Sequence, residues 1–297
     1  MTQNTMIVPP HQIVSGNIAA STGKTQTPLM KLVLLAFFAG MFIACGASAS
    51  SVAMHAISNV GLARLVAGAV FPVGLMMIVF VGGELFTGDC LMIMGCIHGK
   101  YSVGSMIRVL VVVFFSNFVG AGIFAAMVNA STQFNFTSGL LGAFTIKVAM
   151  GKLTMSFGAA FVSAILCNIF VCVAVLMAAA AKDIAGKALA IFFPILAFVV
   201  SGYEHCVANM YYIPAGIFAA SNEAYVQAAM ETYGYTAQQL ETLSWGNMLV
   251  NNLLPVTLGN IVGGMVFVGL PLYLIHSNRI REEELQLKQT EKAKKRA

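Results

Sequence analysis

Long uncharged apolar runs, separated by short polar stretches, fill most of this chain. Six of them exceed the ~20 residues that an α-helix needs to cross a bilayer. They cover 32–63, 65–97, 109–129, 153–181, 188–220 and 247–276. The second run continues past Glu84 and Asp89, and the fifth is interrupted only by Glu204-His205. Each run predicts a membrane helix. Residues 1–27 are polar, punctuated by Pro9-Pro10 and Thr27-Pro28, and Ile13, Val14 and Ile18 predict a short surface helix there. The expected organisation is an N-terminal segment over 1–28, a six-helix transport unit over 29–276 and a charged tail over 277–297.

Composition sharpens this picture. Charged residues make up 9% of the chain, apolar residues 59%, and the mean hydropathy is +0.85. A soluble domain carries roughly 25% charge, so a soluble enzyme, a disordered chain and a nucleic-acid-binding protein are excluded. The net charge of +5 is no nucleic-acid signal, because seven of the 16 basic residues lie between Arg279 and Arg296. The six cysteines sit in or beside apolar segments without metal-like spacing, and read as small buried hydrophobes.

Loop charge predicts the orientation. With the N-terminus inside, the inner segments hold Lys24, Lys31, Lys100, Arg108, Lys182, Lys187 and the tail cations. The outer segments hold only Arg64, Lys147 and Lys152. Both termini are therefore expected in the cytoplasm, with the protein in the cell membrane. The stretch 221–246 then lies outside.

Two runs carry material unsuited to a lipid-facing helix: Gly82-Gly83-Glu84-Leu85-Phe86-Thr87-Gly88-Asp89 and Ser201-Gly202-Tyr203-Glu204-His205. Unwound backbone at membrane depth survives only inside protein or along a cavity, and a central charge costs about 2.5–3.5 kcal/mol on insertion scales. Both predict broken helices. The breaks echo each other as Gly-x-Glu, and Asn117-Phe118-Val119-Gly120 in the third run echoes Asn260-Ile261-Val262-Gly263 in the sixth. Three spans per half predict an inverted 3+3 repeat, whose broken second and fifth helices meet at the bilayer middle. Glu204 either polarises His205 or satisfies backbone donors freed by the break, and Glu84 echoes it.

These segments resemble the formate/nitrite transporter family. Gly83-Glu84-Leu85-Phe86-Thr87-Gly88 is similar to its first signature, and Ser201-Gly202-Tyr203-Glu204-His205-Cys206-Val207-Ala208-Asn209-Met210 to its second. Leu166-Cys167-Asn168-Ile169-Phe170-Val171-Cys172 and Leu254-Pro255-Val256-Thr257-Leu258-Gly259-Asn260 add to the match. The resemblance spans about residues 10–276. It implies an all-α polytopic membrane protein, a homopentamer of aquaporin-like protomers, each with its own pore. It also implies passage of formate, nitrite, hydrosulfide or a similar anion, often coupled to protons.

Carried over by motif, His205 and Thr87 face each other at the pore centre, with Asn168 nearby and Glu204 beside His205; His205, whose charge changes near neutral pH, is expected to relay the coupled proton. Lys152 stands at the start of the fourth span in the outer vestibule. Phe71, Leu75, Leu85, Phe86 and Phe198 form the apolar constrictions, and the spacings Phe71–Leu75 and Lys152–Asn168 fit single helical elements. Without the resemblance, the aromatic and leucine positions read as ordinary helix packing, Lys152 as an interfacial lysine and Asn168 as an interhelical hydrogen bond. No cofactor, metal or enzymatic constellation is expected. A nitrite or hydrosulfide pore is the alternative within the family. An aquaporin-like channel for neutral solutes is the alternative outside it, although the chain lacks Asn-Pro-Ala.

Overall fold

The computed structural model describes residues 7–296, which are almost wholly helical. Helix α1 (Pro10–Gln26) starts on Pro10, whose missing N–H costs nothing in a first turn. Then come α2 (Leu29–Met54), α3 (Val60–Val70) and α4 (Val73–Val81). After a break follow α5 (Phe86–Asp89), a 3₁₀ turn and α6 (Ile93–Ile97). Helices α7 (Val103–Ala130), α8 (Leu140–Leu153), α9 (Phe157–Ala180) and α10 (Ile184–Ser201) lead to the second break. Beyond it lie α11 (Cys206–Ala219), α12 (Glu223–Tyr233) and α13 (Ala237–Leu240). Helices α14 (Trp245–Asn247), α15 (Leu254–Val262) and α16 (Leu270–Arg296) run on through two π-wound stretches. Among the described residues, six helical stretches are long and apolar enough to cross a membrane.

The first and last described helices, α1 and α16, pack together on one face. Val14 and Ile18 of α1 are buried. His11 Nε2 is 3.2 Å from Glu283 Oε1 on α16, and Lys100 Nζ is 2.9 Å from Glu284 Oε1. We call this side the termini face; α8 and α12 pack together on the other.

Three expectations need correction. The first two spans are separated by residues 55–59, not by Arg64, which lies inside α3. Asn59 caps that helix by accepting the Leu62 N–H. Lys152 does not begin the fourth span. It ends α8, and α9 starts separately because Ser156 accepts the Ala159 N–H and nucleates a new first turn. Lys152 and Asn168 thus belong to different helices. Phe71 and Leu75 flank the joint at Pro72, which lacks the N–H needed to continue α3 unbroken into α4.

The two breaks are held alike. Each opens on a glycine with positive φ, Gly82 at 103° and Gly202 at 74°, a conformation other residues rarely adopt. The unwound backbone then bonds to a buried asparagine. Asn117 Oδ1 accepts the Phe86 N–H at 3.0 Å, while its Nδ2 donates to Ala36 O at 2.7 Å and Glu84 O at 3.0 Å. Asn260 Oδ1 accepts the Cys206 N–H at 2.9 Å, while its Nδ2 donates to Ala164 O at 2.8 Å and Glu204 O at 3.0 Å.

Glycines let the flanking helices close in. A Cβ on Gly120 would strike the Phe37 carbonyl of α2, and one on Gly263 the Ile165 carbonyl of α9. These are the close approaches that small residues permit between membrane helices.

Asn117→Leu and Asn260→Leu each strip three partners from buried backbone or its neighbours. An unsatisfied buried group costs ~1–3 kcal/mol. Each variant is expected to lose at least ~2 kcal/mol, read as a lower unfolding temperature of the detergent-solubilised protein. A surface change such as Asn251→Leu serves as the control.

Candidate functional site

The breaks bring their ends together at the centre of the fold. Thr87, in the first turn of α5, and His205, which caps α11, are buried, with Oγ1 and Nε2 2.9 Å apart. The histidine's other nitrogen fixes its tautomer. Nδ1 accepts the Ala208 backbone N–H at 3.0 Å, so it carries no hydrogen. The neutral ring then bears its hydrogen on Nε2, pointing at Thr87 Oγ1. Converting His205 to imidazolium would first require breaking the Ala208 bond.

Asn168 contributes indirectly. Its Nδ2 donates to the carbonyls of Thr87 at 3.1 Å and Asn260 at 2.7 Å, tying α9 to both halves. Cys172 Sγ also lies 3.4 Å from Thr87 O.

Two cavities approach this pair from opposite faces. The one away from the termini holds about 650 Å³, and Phe71, Phe198 and His205 are among its lining residues. The rings of Phe71 and Phe198 meet edge to face with centroids 5.6 Å apart. The cavity on the termini face holds about 670 Å³, with Leu75 and Leu85 in its wall. Those four apolar residues are buried. Phe86 differs: it lines neither cavity and packs edge to face on Phe114, 5.1 Å between centroids.

Each cavity also meets an ion pair built on a break. Lys152 Nζ lies 2.5 Å from Glu204 Oε1, and Glu204 Oε2 accepts Asn209 Nδ2 at 2.7 Å. Asn252 anchors the lysine's backbone, donating to Lys152 O at 3.0 Å. Neither expected role for Glu204 matches these bonds. Its carboxylate binds side chains; the freed backbone belongs to the asparagines, and His205 bonds to Thr87 and Ala208.

On the termini face, Lys24 of α1 lies 2.5 Å from both Glu84 Oε2 and Asp89 Oδ1. Burial pulls the Lys24 ammonium down, but the charges of Asp89 and Glu84 outweigh it and hold the group above its ordinary range.

Sequence reasoning missed Lys24, Asn209 and Asn252, and left Asp89 without a partner. One signal was available. The same interval along the chain separates Lys24 from Lys152, Leu35 from Ser163 and Ala36 from Ala164. The Glu84 N–H donates to Leu35 O, and the Glu204 N–H to Ser163 Oγ. The remaining outer cations are also placed. Arg64 and Lys147 line the cavity beside Lys152, and Lys147 Nζ stands 4.7 Å from the Tyr233 ring centroid.

Glu204 is 2% exposed. Removing only its cation, as in Lys152→Met, strands a buried carboxylate, a change that costs ~3–5 kcal/mol. The double variant Lys152→Met with Glu204→Gln is expected to regain most of that loss. Thermal unfolding of the single and double variants checks the coupling.

Residues 11–274 match the family model described as "Formate/nitrite transporter". The chain is 39% identical over 269 residues to a "Probable formate transporter" of Methanothermobacter thermautotrophicus, covering 82% of this chain and 88% of that one. It is 40% identical over 213 residues to "Formate channel FocA" of Haemophilus influenzae, covering 71% and 73%. Among solved structures, a "Pentameric formate channel with formate bound" superposes with a TM-score of 0.74 at 35% identity, covering 84% of this chain and 97% of that one. The relatives are named as transporters or channels.

Proposed function

The chain belongs to the formate/nitrite transporter family, and we propose that it passes small monovalent anions, formate first among them, through each protomer of a homopentamer. The observation that carries this reading is the Thr87–His205 pair at 2.9 Å, buried between two cavities with apolar walls and a lysine near each. The formate-channel relatives favour formate over nitrite or hydrosulfide. A pentamer agrees with the solved relative's name and with apolar side chains such as Phe115, Val119 and Phe193 on the outward surface.

The physics of passage follows from the walls. An anion entering the cavity away from the termini meets the field of Lys152, with Arg64 and Lys147 nearby. The apolar residues Phe71 and Phe198 stand between it and the centre. Moving a bare carboxylate past them is costly, and taking up a proton is the usual escape. For an acid of pKa about 4, protonation costs roughly 1.4 kcal/mol per pH unit, or roughly 4 kcal/mol at pH 7. The proton thus travels with the substrate.

At the centre, His205 offers its Nε2–H, and Thr87 offers a hydroxyl. The N-terminus of α11 adds the positive end of its dipole. Leu75 and Leu85 form the second constriction, and Lys24 waits beyond it. Asn168 and Glu204 position the centre and the lysine rather than touching substrate. The transport unit is 29–276, with α1 (Pro10–Gln26) docked in one mouth by Lys24 and residues 277–296 continuing α16. Loop charge favours both termini in the cytoplasm and the protein in the cell membrane.

Parallel flux of formate, nitrite and hydrosulfide into proteoliposomes tests the reading, with glycerol as the neutral control. Formate is expected to move fastest and glycerol not to move above leak. His205→Ala is expected to assemble normally and lose at least ~10-fold in formate flux, the range for one preorganised donor being ~100–1,000-fold in catalysis. Unaltered flux in that variant would remove the central pair from the mechanism.

A further inference from the structure

The three cations of the cavity away from the termini are not equivalent. Lys152 is paired with Glu204, the one carboxylate among the described residues lining that cavity. An anion arriving there meets an ammonium whose charge is already shared. Lys147 stands over two rings, with its Nζ 4.7 Å from the Tyr233 centroid and 5.8 Å from that of Phe144. Arg64 has neither an acid nor a ring among the described residues. Its one hydrogen bond runs from Nη1 to Val200 O at 3.2 Å.

That bond fixes how the guanidinium is presented. Val200 lies in the last turn of α10, where carbonyls lack partners within the helix and favour a cation. Gly202, at φ 74°, opens the second break beside it, and a Cβ there would strike Arg64 Nη1. The glycine that unwinds the chain thus also seats the arginine. Nη1 is turned to the break, and the edge formed by Nε and Nη2 has no partner among the described residues. Such an edge holds two parallel N–H groups in a fixed fork, which matches two oxygens carried by one atom. The ammonium of Lys147 or Lys152 is a point charge without that preference.

We propose that Arg64 selects the anion on entry from this side. It takes a bent oxyanion such as formate or nitrite by both oxygens, and disfavours one-atom acceptors such as chloride and hydrosulfide. Only N–H···O hydrogen bonds form and break. The inference rests on the anion-passage reading and deepens it, because it narrows the substrate class to planar oxyanions. Formate and nitrite share the geometry the fork requires, so Arg64 does not choose between them. The cavity on the termini face is lined by Lys24 and, among the described residues, by no arginine. Selection of this kind therefore belongs to one direction of entry.

The test separates the fork from the charge. Membrane vesicles carrying the full-length protein, sorted by which face is outward, take up labelled formate over a range of concentrations, with nitrite or chloride as competitor. With the face away from the termini outward, Arg64→Lys is expected to raise the half-maximal formate concentration ~10-fold, the lower end of what a hydrogen bond to a charged group contributes. The maximal rate is expected to stay within about twofold, the pattern of a lost binding contact. The advantage of nitrite over chloride as competitor is expected to fall with it. Arg64→Gln removes the charge as well, so its half-maximal concentration is expected to depend less on added salt than that of Arg64→Lys. Entry from the termini face is the internal control, since a merely structural loss at the break would impair both directions.

Chemical modification supplies a readout without transport. Phenylglyoxal attacks guanidinium groups, and mass spectrometry of the treated wild-type protein reads the extent at residue 64. Formate and nitrite are expected to protect Arg64 at ~10-fold lower concentrations than chloride does. Equal protection by all three anions, a wild-type half-maximal concentration and competitor preference in Arg64→Lys, or an equal rise for entry from both faces would overturn the proposal. If wild-type vesicles carry no anion at all, the functional reading fails, while protection of Arg64 still decides whether the fork binds oxyanions.

Discussion

Backbone that leaves the helix at membrane depth must find its hydrogen bonds inside the protein, because lipid offers none. This chain meets that demand twice with one device. A positive-φ glycine opens each break, and an asparagine from a neighbouring helix supplies both an acceptor and a donor to the loosened strand. The amide suits the task because one side chain serves an orphan N–H and an orphan C=O together. It carries no charge into the interior. The same nitrogens also reach Ala36 O and Ala164 O, so each asparagine ties a break to an intact span. The position of Thr87 against His205 depends on both.

Relieved of backbone duty, the carboxylates at 84 and 204 hold cations near the two mouths. A lone buried carboxylate or ammonium is far costlier than a pair, so each lysine needs its acid and each acid its lysine. The two ends reach this arrangement from different scaffolds. Lys152 is carried by α8, a 14-residue helix too short to span, and Lys24 by α1, which precedes the first span. Equivalent charges thus stand at opposite faces although the elements carrying them differ. The difference of one group, Asp89 against Asn209, leaves their charge balance unequal.

The six spans, the two breaks and the central residues were legible in the sequence because a membrane makes each departure from apolar helix conspicuous. Glu84, Glu204 and His205 stand out against long uncharged runs. Motif resemblance then singled out Thr87, Asn168 and Lys152 from many polar residues of equal appearance. What periodicity could not give was the division of the polar loops. Residues 140–153 contain a single cation before Lys152 and form a buried helix too short to cross. Hydropathy therefore runs Lys152 into the helix that follows, whereas the Ser156 cap starts α9 beyond it. In the sequence Lys24 looks like an orienting loop charge, because its contacts with residues 60 and 65 positions away leave no local trace. Phe86 resembles its neighbour Leu85 in sequence, yet Leu85 is still extended backbone of the break whereas Phe86 begins α5, and its ring turns to Phe114.

The central histidine shows how backbone geometry constrains chemistry. Because Nδ1 is occupied by the Ala208 N–H, the cap that starts α11 also selects the tautomer presented to Thr87. A ring in this state donates a hydrogen bond without adding a full charge to the site. In the proposed passage that distinction matters. A fixed cation at the narrowest point would bind an anion tightly and hinder its release, whereas conduction requires binding weak enough to permit exit. The ammonium groups are instead set back toward the two cavities at Lys152 and Lys24, each already paired with carboxylate. The centre keeps only dipoles: an imidazole N–H, a hydroxyl and a helix terminus. The same cap that satisfies an orphan amide thereby keeps the centre neutral, so that in the proposed passage charge compensation is left to a proton taken up by the substrate itself.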